Sequence, residues 1–422
     1  MCPLFIYTVQ PGDSLFVIGA RFGISIDQIR LVNGLVETNI VPGQALLIPL
    51  YTYTVQQGDN YDSIARRTFV SAVALQKANP SVTPANMRPG MKVTIPELPK
   101  KPITALGYYT LRNPGLDQEL IHNFAPYATY LAFFEYHISS DGSLSELNDS
   151  PAVQTAWRRR VPPLMTVTNL TETGFSPSLA HRVLNQPDVR NRLIDNIVQT
   201  ISRKGYAGVN IDFEQIVEED RDLFSGFLRL LKERLKPSGY VLTVAVPPKT
   251  NENIAWLKGY DYGGIGAVSD LVFIMAYDWH HGTSEPGPVA PINEVRQTIQ
   301  FALRHIPKEK IILGFPLYGY NWTLPYQPGT VYPGIANQGA VQLAMKHQVP
   351  IQYDTKSESP FLQYTDEQGR RHIIWFEDAR SIGKKLHLII EYGLGGGGVW
   401  QLTLSFPQGT WLLTKFFRVR KA

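Results

Sequence analysis

Cysteine is almost absent. Cys2 is the only one in 422 residues, so no disulfide can form within the chain. Long apolar runs are missing too: nothing approaches the roughly 18 consecutive apolar residues of a membrane-spanning helix, and no membrane span is expected. There is no large excess of either charge. The net charge is +4, and the first hundred residues hold 8 Lys/Arg against 6 Asp/Glu, so there is no basic tail. Binding to nucleic acid needs clustered basic groups to neutralise phosphates, and no nucleic-acid partner is expected. The start Met1-Cys2-Pro3-Leu4-Phe5 lacks the charged segment and apolar core of a secretory signal, so the expectation is work without ordinary export. The composition is that of a globular chain, 44% hydrophobic and 18% charged, long enough for a large barrel plus something small.

The front of the chain repeats itself. Tyr7-Thr8-Val9-Gln10-Pro11-Gly12-Asp13 returns as Tyr53-Thr54-Val55-Gln56-Gln57-Gly58-Asp59. The match continues through Ile18 and Ile64 and through Asn33 and Asn79. It holds, one residue later, at Pro42-Gly43 and Pro89-Gly90, and both units close on Ile-Pro. Each unit reads as strand, helix, helix, strand: Tyr-Thr-Val is β-prone, Gly-Asp is a turn and helix entry, and Leu15, Ile18 and Phe22 fall at helical spacing. Both units resemble LysM domains, spanning 5–50 and 52–98, and that resemblance implies binding of N-acetylglucosamine-containing glycans. Two weak modules on a repetitive polymer would gain roughly 10²–10⁴ in avidity. The proline-rich segment Pro96–Pro102 marks the boundary between the repeats and the remainder of the chain.

From about residue 103 to 422, short β-rich segments alternate with amphipathic helices, the pattern of a parallel sheet. Expected strands are Ile103–Tyr109, Tyr130–Tyr136, Leu164–Thr168, Gly208–Phe213, Val241–Val246, Leu271–Tyr277, Ile311–Phe315 and Gly398–Leu402. Eight strands close a (β/α)8 TIM barrel, an α/β fold. The gap before the eighth is too long for one helix and carries β-like stretches, so about 320–385 is expected to be a small α+β insertion. Gly395–Gly398 lacks the Lys-Ser/Thr of a phosphate loop and reads as a flexible entry to strand eight.

Barrel chemistry sits at the C-terminal ends of strands. The fourth ends Gly208-Val209-Asn210-Ile211-Asp212-Phe213-Glu214, and alternation puts Asn210, Asp212 and Glu214 on one face. Inward polar groups are costly without partners, so the carboxylates form either an ion network or an active site. The segment resembles the family 18 glycoside hydrolase signature Asp-x-x-Asp-x-Asp-x-Glu, with its last two acids on Asp212 and Glu214 and the others replaced by Ala207 and Asn210. Met275-Ala276-Tyr277-Asp278 and Gly314-Phe315-Pro316-Leu317-Tyr318-Gly319 resemble its sixth and seventh strands, and Trp400 stands where the family places an indole under the sugar. The resemblance implies substrate-assisted retaining hydrolysis. Glu214 would be acid and base, Asp212 would orient the substrate's 2-acetamido group, and Tyr277 would donate to its carbonyl. Asp278, Trp279, Tyr318, Gln401 and Asn210 are further expected substrate contacts, and neither cofactor nor metal is called for.

Asn210 cannot titrate, and Thr166-Val167-Thr168-Asn169-Leu170 lacks the Ser-x-Gly-Gly common in chitinases. These departures and the tandem repeats resemble spore cortex-lytic N-acetylglucosaminidases. That implies cleavage of β-1,4 bonds at N-acetylglucosamine in spore peptidoglycan, and a place at the coat–cortex boundary after synthesis in the mother cell. A chitinase acting on a chitin-like glycan is the nearest alternative, and a non-catalytic lectin is the alternative from another class. Glu135, ending strand two, could face the mouth or the surface. His280-His281 lacks a carboxylate-rich partner motif and reads as a loop rather than a metal pair.

Overall fold

The computed structural model describes residues 4–97 and 99–421; Met1, Cys2, Pro3, the linker's Leu98 and the terminal Ala422 lie outside the described residues. In the first repeat, Leu4–Thr8 pairs antiparallel with Ala45–Pro49, and the helices Leu15–Phe22 and Ile26–Asn33 lie between them. Ser14 and Ser25 cap the helix starts, and Gly23 and Gly34 end them in left-handed conformation. The second repeat has the same plan: Thr52–Thr54 pairs with Lys92–Thr94 around Tyr61–Thr68 and Ala72–Ala78.

The residues that recur between the repeats hold each module together. The Asn33 amide donates to Ile29 O at 2.7 Å and Leu47 O at 2.8 Å and accepts from Leu47 N at 2.7 Å. Asn79 makes the same three bonds with Leu75 and Thr94. Asp59 accepts from Tyr53 Oη at 2.6 Å and Gln56 N at 2.8 Å, as Asp13 does from Tyr7 and Gln10. A buried Asn bonded on both sides ties the second helix to the closing strand, and removing it would strand three polar groups.

Neither module hangs free. Phe5, Leu15, Ile18 and Ile48 share one core with Tyr53, Val55 and Ile64 of the second repeat. The first repeat also lies on the large C-terminal domain: Gln408 Nε2 donates to Asn33 Oδ1 and to Ala45 O, both at 2.8 Å, and Ile351 N donates to Pro42 O at 2.9 Å. Val41 is buried in the core of the inserted subdomain with Ala340, Ala344 and Ile351. Phe69 of the second repeat packs edge-on against Phe416, with ring centroids 5.1 Å apart. The Pro-rich segment therefore joins bodies that are already in contact.

The large domain is a closed eight-stranded parallel barrel. Its strands are Lys101–Thr110, Tyr130–His137, Pro163–Thr168, Gly208–Asp212, Val241–Val246, Leu271–Ile274, Ile311–Pro316 and Gly396–Trp400. The last pairs with both its predecessor and the first, which closes the ring. Amphipathic helices such as Pro187–Lys204 and Arg221–Leu235 press Leu193, Ile197, Phe224 and Leu228 onto the outside of the sheet. A short terminal strand, Phe417–Val419, extends the first strand's pairing.

Several boundaries differ from expectation. The fourth strand stops at Asp212 rather than Phe213. The sixth stops at Ile274 rather than Tyr277, because Ala276 N and Tyr277 N turn back onto Ile274 O and Met275 O and leave the ladder. The eighth is Gly396–Trp400, not Gly398–Leu402, so the glycines are the strand itself and not a loop leading to it. A Cβ at Gly396 would lie 1.8 Å from Thr104 O, so closure needs glycine there. The insertion is a five-stranded antiparallel sheet, formed between Tyr318 and Trp375, with the helix Asn337–His347. The helix Ala379–Tyr392 packs back on the barrel, which ends the insertion before residue 385.

Gly43 and Gly90 occupy the same turn of the two repeats, with φ of 80° and 88°. A Cβ at Gly43 would meet Ile351 O at 1.8 Å, whereas one at Gly90 meets nothing within 4 Å. Both Gly→Val variants bear the left-handed penalty, about 1–2 kcal/mol. Gly43→Val is expected to melt several degrees lower than Gly90→Val and to cut faster in limited proteolysis between the repeats and the barrel. Equal losses would mean that this turn does not seat the module.

Candidate active site

The fourth strand carries Asn210 and Asp212 inward, both buried. Asn210 Oδ1 accepts from Tyr108 Oη at 3.1 Å and Thr243 Oγ1 at 2.8 Å, from strands one and five. Three strands are thus tied under the site by neutral groups. Asp212 is 4% exposed, and its Oδ1 has no hydrogen-bond partner among the described residues. Three residues beyond the strand, the chain bends at Gln215, φ 58°, after presenting Glu214. The bend is held from both sides: Asn169 Nδ2 donates to Glu214 O and Glu214 N donates to Asn169 Oδ1, each at 2.8 Å. Tyr260 Oη donates to Phe213 O at 2.9 Å.

Asp212 and Glu214 open into a groove of about 780 Å³. Tyr277, Asp278, Trp279, Tyr318 and Trp400 line it with them. The Trp400 indole stands against Tyr108 and Phe134, with centroids 5.5 and 4.6 Å away, which fixes its plane at the floor. Asp278, at φ 64°, accepts from Tyr318 Oη at 2.8 Å and Tyr320 Oη at 3.2 Å. Two expected contacts lie elsewhere. Asn210 sits beneath the floor with its oxygen already engaged. Gln401 Oε1 accepts from Thr110 Oγ1 at 2.8 Å and Thr403 N at 3.1 Å, which turns its amide to the rim of strand one, and it does not line the groove.

Sequence reasoning passed over Asn169, Tyr108, Tyr260 and the exposed Trp256, which lines one wall. Asn169 carried a weak signal, an amide at the end of an apolar strand. Trp256 carried none, because its place depends on how the loop after strand five folds back. Glu135 faces inward, accepting from Thr168 Oγ1 at 3.3 Å. His280 Nδ1 contacts its own loop at Glu285 O, 2.9 Å away, and no group able to hold a metal is found among the described residues.

Burial dominates the electrostatics. It pushes the Glu214 carboxyl well above the usual carboxylate range, and the charges of Asp212 and Asp278 push further in the same direction. Asp212 is pushed up to about 7, by burial first and by Glu135 second. Asp278 is raised to about 6 by burial, against the lowering effect of its two tyrosine hydrogen bonds. The Tyr277 phenol is held well above 10, so it remains a hydrogen-bond donor. The groove therefore offers a carboxyl, Glu214, that holds its proton more tightly than an ordinary carboxylic acid, an acid beside it, a hydroxyl donor and a flat apolar face. That set suits proton transfer to a sugar's leaving oxygen.

A closed barrel with two acids at the end of its fourth strand, above a flat indole, is an arrangement suited to a barrel glycosidase. The glycosyl hydrolases family 18 model matches residues 153–404, and LysM domain models match 7–49 and 53–96. The chain belongs to glycosyl hydrolase family 18 and carries two LysM domains ahead of its barrel. It is 57% identical, over 99% of this chain and 100% of the relative, to the Bacillus subtilis (strain 168) protein named "Putative sporulation-specific glycosylase YdhD". It is 34% identical to the cortical fragment-lytic enzyme of Bacillus anthracis, over 99% of each chain. The crystal structure of the Bacillus cereus spore cortex-lytic enzyme SleL superposes with a TM-score of 0.90 at 33% identity, covering 99% of both chains. The protein is thus a glycosidase related to spore cortex-lytic enzymes.

The Asn210 arrangement is testable by stability. Asn210→Leu leaves the buried Tyr108 and Thr243 hydroxyls without their acceptor, a loss of about 1–3 kcal/mol. Urea unfolding of that variant is expected to show it, and an unchanged midpoint would mean the two bonds contribute nothing.

Proposed function

We propose that the protein hydrolyses β-1,4 bonds at N-acetylglucosamine in spore cortex peptidoglycan, with the substrate's acetamido group as nucleophile. The single observation that carries this reading is the convergence of Glu214, Asp212 and Tyr277 on one groove above the Trp400 indole. The full-length likeness to proteins named for cortex lysis supplies the substrate class.

In this reading, Trp400 seats the sugar and Glu214 protonates the glycosidic oxygen. The acetamido carbonyl oxygen attacks the anomeric carbon as the leaving bond breaks, forming an oxazolinium ion. Asp212 orients the acetamido N–H and balances the positive charge, while Tyr277 donates to the carbonyl oxygen. Glu214, now a carboxylate, takes a proton from the water that opens the ring, and configuration is retained. This differs from schemes in which a second carboxylate forms a glycosyl ester. The two LysM domains hold the enzyme on the glycan. Because they are docked, they also set the direction from which the polymer meets the groove. The site of action is the spore.

Glu214→Gln keeps shape but cannot donate its proton, so turnover of cortex fragments should fall by at least roughly 10²–10⁴. Asp212→Asn should fall heavily and Tyr277→Phe less. Both carboxyls are raised on folding, so their stabilising effect is complete at low pH and is lost as pH rises through the folded values. At neutral pH the Gln and Asn variants should therefore melt at or above the parent temperature. A Glu214→Gln enzyme with near-normal turnover would sink the assignment.

The nucleophile is tested separately. A thiazoline mimic of the oxazolinium ion should inhibit far more tightly than substrate binds, since sites favour species near the transition state. Substrate de-N-acetylated at the cleaved position should be inert. Efficient cleavage of it, or a trapped glycosyl ester, would overturn the mechanism. Product analysis on purified cortex and on chitin separates cortex from chitin-like substrates, and preference for chitin would overturn the cortex reading.

A further inference from the structure

Strand two carries an acid that the hydrolytic mechanism does not use. The pairing of strands two and three shifts between Phe133 and Tyr136, so the regular alternation of side chains is broken at Phe134 and Glu135. Phe134 lines the groove against Trp400, while Glu135 turns to Thr168. Thr168 is the register partner of Asp212 on strand four and of His137 on strand two. Glu135 sits two residues before His137 on strand two and reaches Thr168 with its side chain, so Thr168, on the strand between them, separates Glu135 from Asp212.

The carboxylate has two polar neighbours. Thr168 Oγ1 donates to Glu135 Oε2 at 3.3 Å, and His137 Nε2 lies 3.8 Å from Oε1. His137 Nδ1 is 3.0 Å from Leu170 O. A carbonyl only accepts, so Nδ1 carries hydrogen toward Leu170 O and Nε2 is the nitrogen that faces Glu135. The His137 side chain is 43% exposed and that of Glu135 16%, so the row runs from solvent inward to Asp212.

The other ionisable groups acting on Asp212's surroundings are Tyr108 from strand one, Glu214 from its own chain segment, Tyr277 after strand six and Tyr260 beyond strand five. Asp278 acts on Glu214. None of these is a cation. On strand four, Asn210 cannot titrate, and its oxygen is occupied by two hydroxyls. Asp212 thus has no acid to share charge with below it, and besides Glu214 the carboxylate that reaches it comes from strand two.

We propose that Glu135 is a positioning residue for hydrolysis, acting across Thr168 on Asp212 and supplying from strand two the second acidic group that strand four lacks at Asn210. This rests on the roles proposed for Asp212 and Glu214. Before substrate binds, a neighbouring negative charge makes Asp212 slower to ionise, consistent with its upward shift. Once positive charge forms on the sugar, two carboxylates, on strands two and four, stabilise it more than one does, with no reorganisation needed.

The test uses the full-length protein with soluble cortex fragments. Glu135→Gln is expected to lower kcat roughly tenfold with little change in KM, because Glu135 does not line the groove. Removing the like charge lets Asp212 ionise sooner, so the acid limb of the kcat–pH profile should move to lower pH by about half to one unit. Glu135→Asp keeps the charge and should keep the acid limb near the parent's. A Glu135→Gln profile that is scaled down with unmoved limbs, or an effect carried wholly by KM, would overturn the proposal. ¹³C NMR titration of Asp carboxyls, with Asp212 identified through Asp212→Asn, gives a second measurement that needs no turnover. Its midpoint should fall in Glu135→Gln, and an unchanged midpoint again overturns the proposal. Failure of the active-site reading shows up separately, as turnover by Glu214→Gln.

Discussion

Two carboxylic acids, Asp212 and Glu214, are held in a closed barrel with no cation paired to either among the described residues. The rest of the structure depends on tolerating that arrangement. In water each acid would ionise well below neutral pH; here burial keeps the proton on Glu214. Such a site persists only if the surrounding backbone cannot relax to let water in. The ring closed between Gly396–Trp400 and Lys101–Thr110 meets that demand, as does the two-way clamp of Asn169 on Glu214. Asn210, bonded to hydroxyls from strands one and five, braces the floor without adding another charge.

The same restraint extends to the front of the chain. Two weakly binding modules on a loose tether would gain only from effective concentration. Here the first repeat contributes Leu4, Ile6, Val32 and Leu47 to the barrel's own core cluster, and Val41 to that of the insertion. The repeats keep matching internal pins, Asn33 and Asn79 or Asp13 and Asp59, yet differ in what covers them. The turn at Gly43 is pressed onto Ile351 and the turn at Gly90 is open. A copied motif has become partly scaffold, so the second repeat offers the freer of the two equivalent turns.

Charge, rather than shape, separates this site from a simple two-acid signature. Four carboxyls, Glu135, Asp212, Glu214 and Asp278, are raised together by burial, and each further negative charge makes the next harder to form. Neutral donors offset part of this. Tyr318 and Tyr320 hold Asp278, and Thr168 holds Glu135. The hydroxyls come from a strand of the inserted sheet and from a neighbouring barrel strand, so the balance belongs to no single segment.

Much of this was legible in the sequence. Alternation along Gly208–Asp212 is a property of extended backbone, so the shared face of Asn210 and Asp212 followed from local geometry alone. The repeat units, eight strands and helical stripes such as Leu193, Ile197 and Ile201 likewise rest on periods of two and 3.6 residues. Where strands end was less legible, because ladders stop when neighbours diverge: Tyr277 leaves its strand through bonds to its own chain, and the glycines at 396–398 pair into the ladder between strands seven and one, where Thr104 O and Leu106 O leave no room for a side chain at Gly396 and Gly398. Gln401 illustrates the same limit, since only the position of Thr110, 291 residues away, turns its amide from the groove. The seating of the first repeat, the clamp by Asn169 and the approach of Glu135 to Asp212 all join segments far apart in the chain. Spacing along one segment encodes which way its own side chains point; which distant side chains they meet is set only when the barrel closes.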